Sequence, residues 1–254
     1  MLQHIILLYL CILKLKNMEK TTLHKANTRG HANHGWLNAH HSFSFANYYD
    51  PTRVHFGALR VLNDDTIAPG MGFGKHPHDN MEIITIPLEG AIEHQDSMGH
   101  REVIRSGDIQ VMSAGTGIAH SEYNANKDKP LKLLQIWVIP RENNVSPRYG
   151  QTTLRPEDRI NTLQQIVSPG PAKEGIWINQ DAWFHLGTLE KGFQTEYEIK
   201  KKGNGVYAFV IDGDVTINGV SLNKRDALGI SDTDKLSINA DSGAELLLIE
   251  VPMI

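Results

Sequence analysis

Apolar residues in this 254-residue chain come in short alternating or continuous runs, each stopped by Gly, Asn, Asp or Pro, and helical periodicity is scarce. Candidate strands are Val54–Val61, Glu82–Leu88, Ala91–Gln95, Asp108–Met112 and Leu133–Ile139, then Trp183–Leu189, Val206–Ile211, Asp214–Ile217 and Glu245–Val251. The pattern supports one short helix, Pro156–Ile166, where Pro156 suits a first-turn position. Many short strands joined by Gly-rich turns can bury their apolar faces only as antiparallel barrels or sandwiches, so the expected class is all-β.

The length allows one large domain or two smaller ones. An internal echo favours two. "PLEGAIEH" (87–94) resembles "VIDGDVTI" (210–217), and "LLQIWVIP" (133–140) resembles "LLLIEVP" (246–252), in the same order. The intervening Arg141–Gly175 carries Pro147, Pro156, Pro169, Gly170 and Pro171 and reads as the connection. The expected units are therefore 18–141 and 142–254. Residues 1–17, "MLQHIILLYLCILKLKN", stand apart. The apolar run Ile5–Leu13 is short of the ~20 residues of a spanning helix. It also lacks the basic start and small-residue cleavage site of a signal peptide. Met18 follows at once, so this leader is expected to be dispensable or an upstream-start artefact, with a weak membrane-surface anchor as the alternative.

A formal net charge of −4 offers no basic footprint for nucleic acid. The single cysteine, Cys11, precludes an internal disulfide and is compatible with a reducing cytoplasm. No phosphate-binding loop, nucleophile elbow or dinucleotide-binding glycine fingerprint is present.

The chemistry-bearing stretch is "GFGKHPHDNMEIITIPLEG". His76 and His78 are two apart, so an extended strand turns both imidazoles to one face. Gly70, Gly72 and Gly74 let the backbone turn tightly before them, and Glu82 follows. "SAGTGIAHSE" then supplies His120 and Glu122, again two apart and again after a glycine turn. Imidazoles with a carboxylate suit Fe, Ni, Zn, Mn or Co, and no cysteine is near enough to suggest a thiolate site. Shared parity with His76 and His78 lets Glu82 face inward as well, so the residues alone leave Glu82 and Glu122 both open as the carboxylate ligand.

The first of these stretches and "GDIQVMSAGTGIAHSE" resemble the two motifs of the cupin superfamily, and best those of the pirin family, which includes bacterial quercetin 2,3-dioxygenases. "RGHANHGWLNAHHSFSFANYYDP", "ALRVLNDD" and "IEHQDSMGH" are similar to the same family, and the likeness runs from Leu23 to Val251. The resemblance implies a bicupin, two antiparallel jelly-roll-like β-barrels packed together. It implies one divalent transition metal on His76, His78, His120 and Glu122, with Glu82 held back as an outer or alternate ligand. Iron stands first, with Zn, Ni, Co, Mn and Cu also admitted. The implied activity opens the central ring of a flavonol such as quercetin with O2 and releases CO, Glu122 doubling as the base for the 3-hydroxyl proton. The alternative it implies is a metal-dependent regulator that switches with iron redox state and binds a protein partner. The resemblance carries expectations of a cytoplasmic monomer with no direct nucleic-acid or membrane partner.

Beyond His120 the only histidine is His185, and "EIKKKGNG" (198–205) stands where a second pair would fall, so the second unit is expected to be metal-free. His24, His31, His34, His40 and His41 read as structural, and His55, His94 and His100 as strand or turn residues. Phe73 and Met112 are candidates for pocket or core alike.

Overall fold

The computed structural model describes residues 19–171 and 174–254; the apolar leader, 1–17, lies outside the described residues. Among the described residues the regular structure is strand, apart from two short 3-10 turns. In chain order the first half carries β1 (Lys20–His24), β2 (Gly30–Asn33), β3 (Leu37–His41), β4 (Leu59–Ile67), β5 (Gly72–His78) and β6 (Glu82–Glu89). It continues with β7 (Ala91–Asp96), β8 (Arg101–Arg105), β9 (Asp108–Ser113), β10 (Ile118–Asn124), β11 (Leu131–Val138) and β12 (Arg148–Thr153). The second half carries β13 (Gln164–Pro169), β14 (Ile176–Ile178), β15 (Trp183–Leu189), β16 (Gln194–Glu198) and β17 (Asn204–Asp212). It ends with β18 (Val215–Ile217), β19 (Val220–Leu222), β20 (Ala227–Ser231), β21 (Lys235–Ala240) and β22 (Ala244–Pro252).

Each half pairs a seven-stranded sheet with a four-stranded one. The orders are β12-β9-β6-β11-β4-β3-β2 over β5-β10-β7-β8, and β1-β20-β17-β22-β15-β13-β14 over β16-β21-β18-β19. Strands β4 to β11 recur in the same places as β15 to β22, so the sequence echo is a structural duplication. The two sheets of each half share no hydrogen-bonded ladder, which makes each a two-sheet jelly roll and not a closed barrel. The division expected near residue 141 is crossed in both directions. Strand β1 completes the second half's sheet beside β20, and β12 completes the first half's sheet beside β9.

Two sequence expectations are corrected. The segment Pro156–Ile166 is a single 3-10 turn, Pro156–Arg159, followed by β13. Asn161 adopts a left-handed backbone (φ 51°), and its N–H donates to the Thr188 carbonyl, so the chain peels off to pair with β15. The strand expected from Val54 begins instead at Leu59. Phe56 and Leu59 close a tight turn on each other around Gly57, whose φ of 51° suits glycine.

The large sheets pack face to face and form one core from both halves. Leu62, Ile84, Val111, Leu134 and Ile136 meet Phe184, Leu186, Phe209, Leu247 and Ile249. The interior of the second jelly roll is filled mainly by apolar side chains, among them Val206, Val210, Leu228, Leu236, Ile238 and Leu248, with the buried Glu250 bonded by the Tyr197 hydroxyl. The first is filled only in part. Leu37, Ile67, Ile92, Ile104 and Leu133 close one end, and Ile83, Met112, Ala114 and Ile118 pack nearer the other.

Because the core is shared, Leu134→Ala is expected to destabilise both halves together, by about 2–5 kcal/mol. Urea unfolding followed by fluorescence and by circular dichroism should show one shifted transition. Two separate transitions would contradict the shared core.

Candidate metal centre

Strands β5 and β10 bring the distant histidines together. Their antiparallel register sets His120 opposite His76 and Ile118 opposite His78. Between the His120–His76 and Glu122–Phe73 pairs, β10 spans one residue and β5 spans two, a β-bulge at Gly74 and Lys75. Close approach of the strands requires glycine at 72, where a Cβ would fall 2.1 Å from the Glu122 carbonyl oxygen. The three rings converge, with centroids 4.9 Å apart for His76–His78, 4.5 Å for His76–His120 and 4.9 Å for His78–His120. Their ligand nitrogens all lie within 4.8 Å of one another, and among the described residues no other group of three His, Cys, Asp or Glu side chains does so.

The protonation pattern suits a cation. The His76 ring donates from Nδ1 to the Gly74 carbonyl (2.7 Å), which leaves Nε2 as its lone pair. His120 is buried; its Nδ1 lies 3.1 Å from His94 Nε2, while its own Nε2 has no partner. A buried nitrogen without a partner is costly, and a metal ion would satisfy it. Burial, then the neighbouring imidazoles, lower His120 to about 2. Burial and His76 lower His78 to about 4, so both rings are neutral near pH 7, the form that ligates. His78 also packs edge-on against Trp137, at 5.0 Å.

Glu122 lines the same cavity, of about 220 Å³, as His76 and His78; the set that closes within 4.8 Å is the three imidazoles. Its carboxylate accepts from Gln135 Nε2 (3.0 Å), and the Gln135 carbonyl accepts from Thr85 Oγ1 (3.1 Å). Burial raises Glu122 to about 7 against the opposing pull of Gln135 and Thr85.

Glu82 is elsewhere. It shares a face with Ile84 and Ile86, which point into the core between the halves. There it accepts from Ser113 Oγ (2.7 Å) and Asn179 Nδ2 (2.9 Å). Parity with His76 and His78 does not carry across, because the chain turns at Asn80 (φ 44°) and β5 and β6 lie in different sheets.

Several residues that sequence reasoning did not place belong to this site. His94 lies inside β7 as the partner of His120. Asn63, Asp65 and Gln135 line the cavity from β4 and β11. Burial, then the charges of Asp64 and Glu122, raise the Asp65 carboxyl to about 8. The alternation of β4 could have flagged it, since Asn63 and Asp65 share parity with Val61 and Ile67. Phe73 lines the cavity, whereas Met112 is core. Four of the five early histidines have partners of their own. His24 bonds the Tyr207 hydroxyl (2.9 Å), His41 bonds Asn63 (2.9 Å), and His31 stacks on His40 at 4.7 Å.

In the second half the matching positions are changed. Pairing β21 with β18 as β10 pairs with β7 sets Leu236 where His120 stands and Ile238 where Glu122 stands. Tyr197, opposite Leu236, takes the place of His76. No helix among the described residues is long and apolar enough to cross a membrane.

The chain resembles known proteins along most of its length. The pirin family model matches residues 22–138, and the quercetinase C-terminal cupin domain model matches 165–251. The chain is 49% identical over 232 residues to a quercetin 2,3-dioxygenase of Escherichia coli K12, covering 91% of this chain and 99% of that protein. It is 43% identical over 222 residues to a pirin-like protein of Caulobacter vibrioides, covering 87% of this chain and 95% of that one. The crystal structure of the E. coli bacterial pirin YhhW in complex with nickel(II) superposes with a TM-score of 0.88 at 47% identity, covering 92% of this chain and all of that one. Likeness of this extent across both halves shows that the chain belongs to the pirin family of the cupin superfamily.

Proposed function

We propose that this protein is a metal-dependent dioxygenase that opens the central ring of a flavonol such as quercetin. One O2 enters the product and one CO leaves. The observation that carries the reading is the convergence of His76, His78 and His120, whose ligand nitrogens lie within 4.8 Å of one another, with a buried His120 nitrogen that has no protein partner. His76, His78, His120 and Glu122 are the proposed ligands of one divalent ion. Imidazole and carboxylate donors suit iron and equally the nickel found in the E. coli relative. When bound, the metal supplies Lewis-acid polarisation of the flavonol's chelating oxygens.

The chain's own residues do the rest. Glu122, raised towards neutrality by burial, takes the 3-hydroxyl proton, and Gln135 holds its carboxylate in place. Phe45, Phe73, Ile83 and Trp137 line the cavity with apolar surface that clamps a flat ring and excludes water. At about 220 Å³ the cavity is smaller than the ~300 Å³ of typical ligand sites. An adjoining groove of about 570 Å³, lined by Trp36, Leu37 and Tyr48, shares Phe45 and Phe73 with it. The ring system would span both. The first cupin unit, expected over 18–141, carries the chemistry. The second backs its wall through Asn179 on Glu82.

Elemental analysis should find His120→Ala stripped of metal, and Glu82→Gln fully loaded but less stable by about 1–3 kcal/mol. Equal metal in wild type and His120→Ala would remove the assignment. Added aerobically to protein loaded with Fe, Ni, Co, Mn, Zn or Cu, quercetin should lose its visible band as CO appears. Glu122→Gln should retard that loss by about 10²–10⁴-fold. Intact absorbance with all six metals would overturn the dioxygenase reading.

A further inference from the structure

The floor of the cavity is the inner face of the first half's large sheet, and its side chains form transverse rows. One row runs His41, Asn63, Gln135, Thr85, Gln110 across five neighbouring strands. Within it, His41 bonds Asn63, Thr85 bonds Gln135, and Gln135 reaches on to Glu122. The next row is different. There Asp65 stands between Ala39 on β3 and Leu133 on β11, at the edge of the apolar cluster of Leu37, Ile67, Ile92 and Ile104.

Asp65 is 4% exposed, and its Oδ1 is buried with no hydrogen-bond partner. Its chain neighbour Asp64 points to the opposite face and pairs with Arg29 (3.1 Å) and Arg225 (3.0 Å). Two adjacent carboxylates thus meet opposite fates, one doubly paired and one enclosed without a partner. An unpaired buried carboxyl opposes folding, and an apolar residue would fit between Ala39 and Leu133 at lower cost. Such a group in a ligand cavity is satisfied when the ligand arrives.

We propose that Asp65 is a second polar anchor for the substrate: it hydrogen-bonds a phenolic hydroxyl other than the one facing the imidazoles, and so selects polyhydroxylated flavonols. Ionised, it accepts the phenolic O–H; protonated, it also donates to a ring oxygen. A site built to bond a hydroxyl rejects the analogue lacking it, because its own buried group is then left unpaired. The inference rests on the flavonol reading above.

The test is anaerobic calorimetric titration of metal-loaded protein with quercetin and with 3-hydroxyflavone, which lacks the additional hydroxyls. Wild type should prefer quercetin. Asp65→Leu should weaken quercetin binding by about tenfold or more while 3-hydroxyflavone stays within about twofold. Metal content should be unchanged, and the ligand-free Tm should rise by about 2–4 °C. Asp65→Asn, nearly isosteric, should shift the preference in the same direction and guards against misfolding of the leucine variant. Undiminished preference in both variants, no preference in wild type, or loss of metal on substitution would each overturn the anchor role. Wild type that binds neither flavonol would instead overturn the flavonol reading, and the anchor with it.

Discussion

The site depends on the register of β5 against β10. Antiparallel pairing sets His120 across from His76, and the β-bulge at Gly74–Lys75 then moves Glu122 out of step. A slip of β5 by one residue would turn His76 and His78 away from His120, because side chains alternate faces. The inner wall of the first half holds that register in place. Ile118 packs with Ile83, Met112 and Ala114, and Asn124 Nδ2 donates to the carbonyls of Ile67, Ala68 and Lys129. The histidines are therefore positioned by neighbours outside the imidazole cluster.

The large sheet of the first half does two jobs with its two faces. One face, through Leu62, Ile84, Leu134 and Ile136, is half of the core shared with the second jelly roll. The other is the floor of the cavity, where polar side chains hold one another. Glu82 and Glu122 show the consequence. Both are buried carboxylates with protein donors, but one serves the seam between the halves and the other the cavity. Duplication explains the asymmetry between the halves. The same strand order with Leu236, Ile238 and Tyr197 at the equivalent positions makes a filled interior, so the second half can stabilise what the first half leaves partly open.

Much was legible in the chain itself. Short runs between turn residues specify strands, the echo specifies two copies, and HxH followed by HxE names the candidate donors. These signals are local, and period-two alternation is enough to read them. The choice between Glu82 and Glu122 was not legible from the residues, because alternation counts only within one strand and Asn80 breaks the count. The helix expected at Pro156–Ile166 failed for a related reason. Pairing of β13 with β15 outweighed a short segment whose one favourable signal was a first-turn proline.

His94 and Asp65 mark the boundary most clearly. Sequence alone determined that the chain is β, duplicated, and equipped in one copy with paired imidazoles. Only the tertiary structure decided that His94 stands behind His120 and that Asp65 is enclosed without a partner while Asp64 is paired twice. Alternation assigns a side chain to a face. What waits on that face is set by strands brought from elsewhere in the chain.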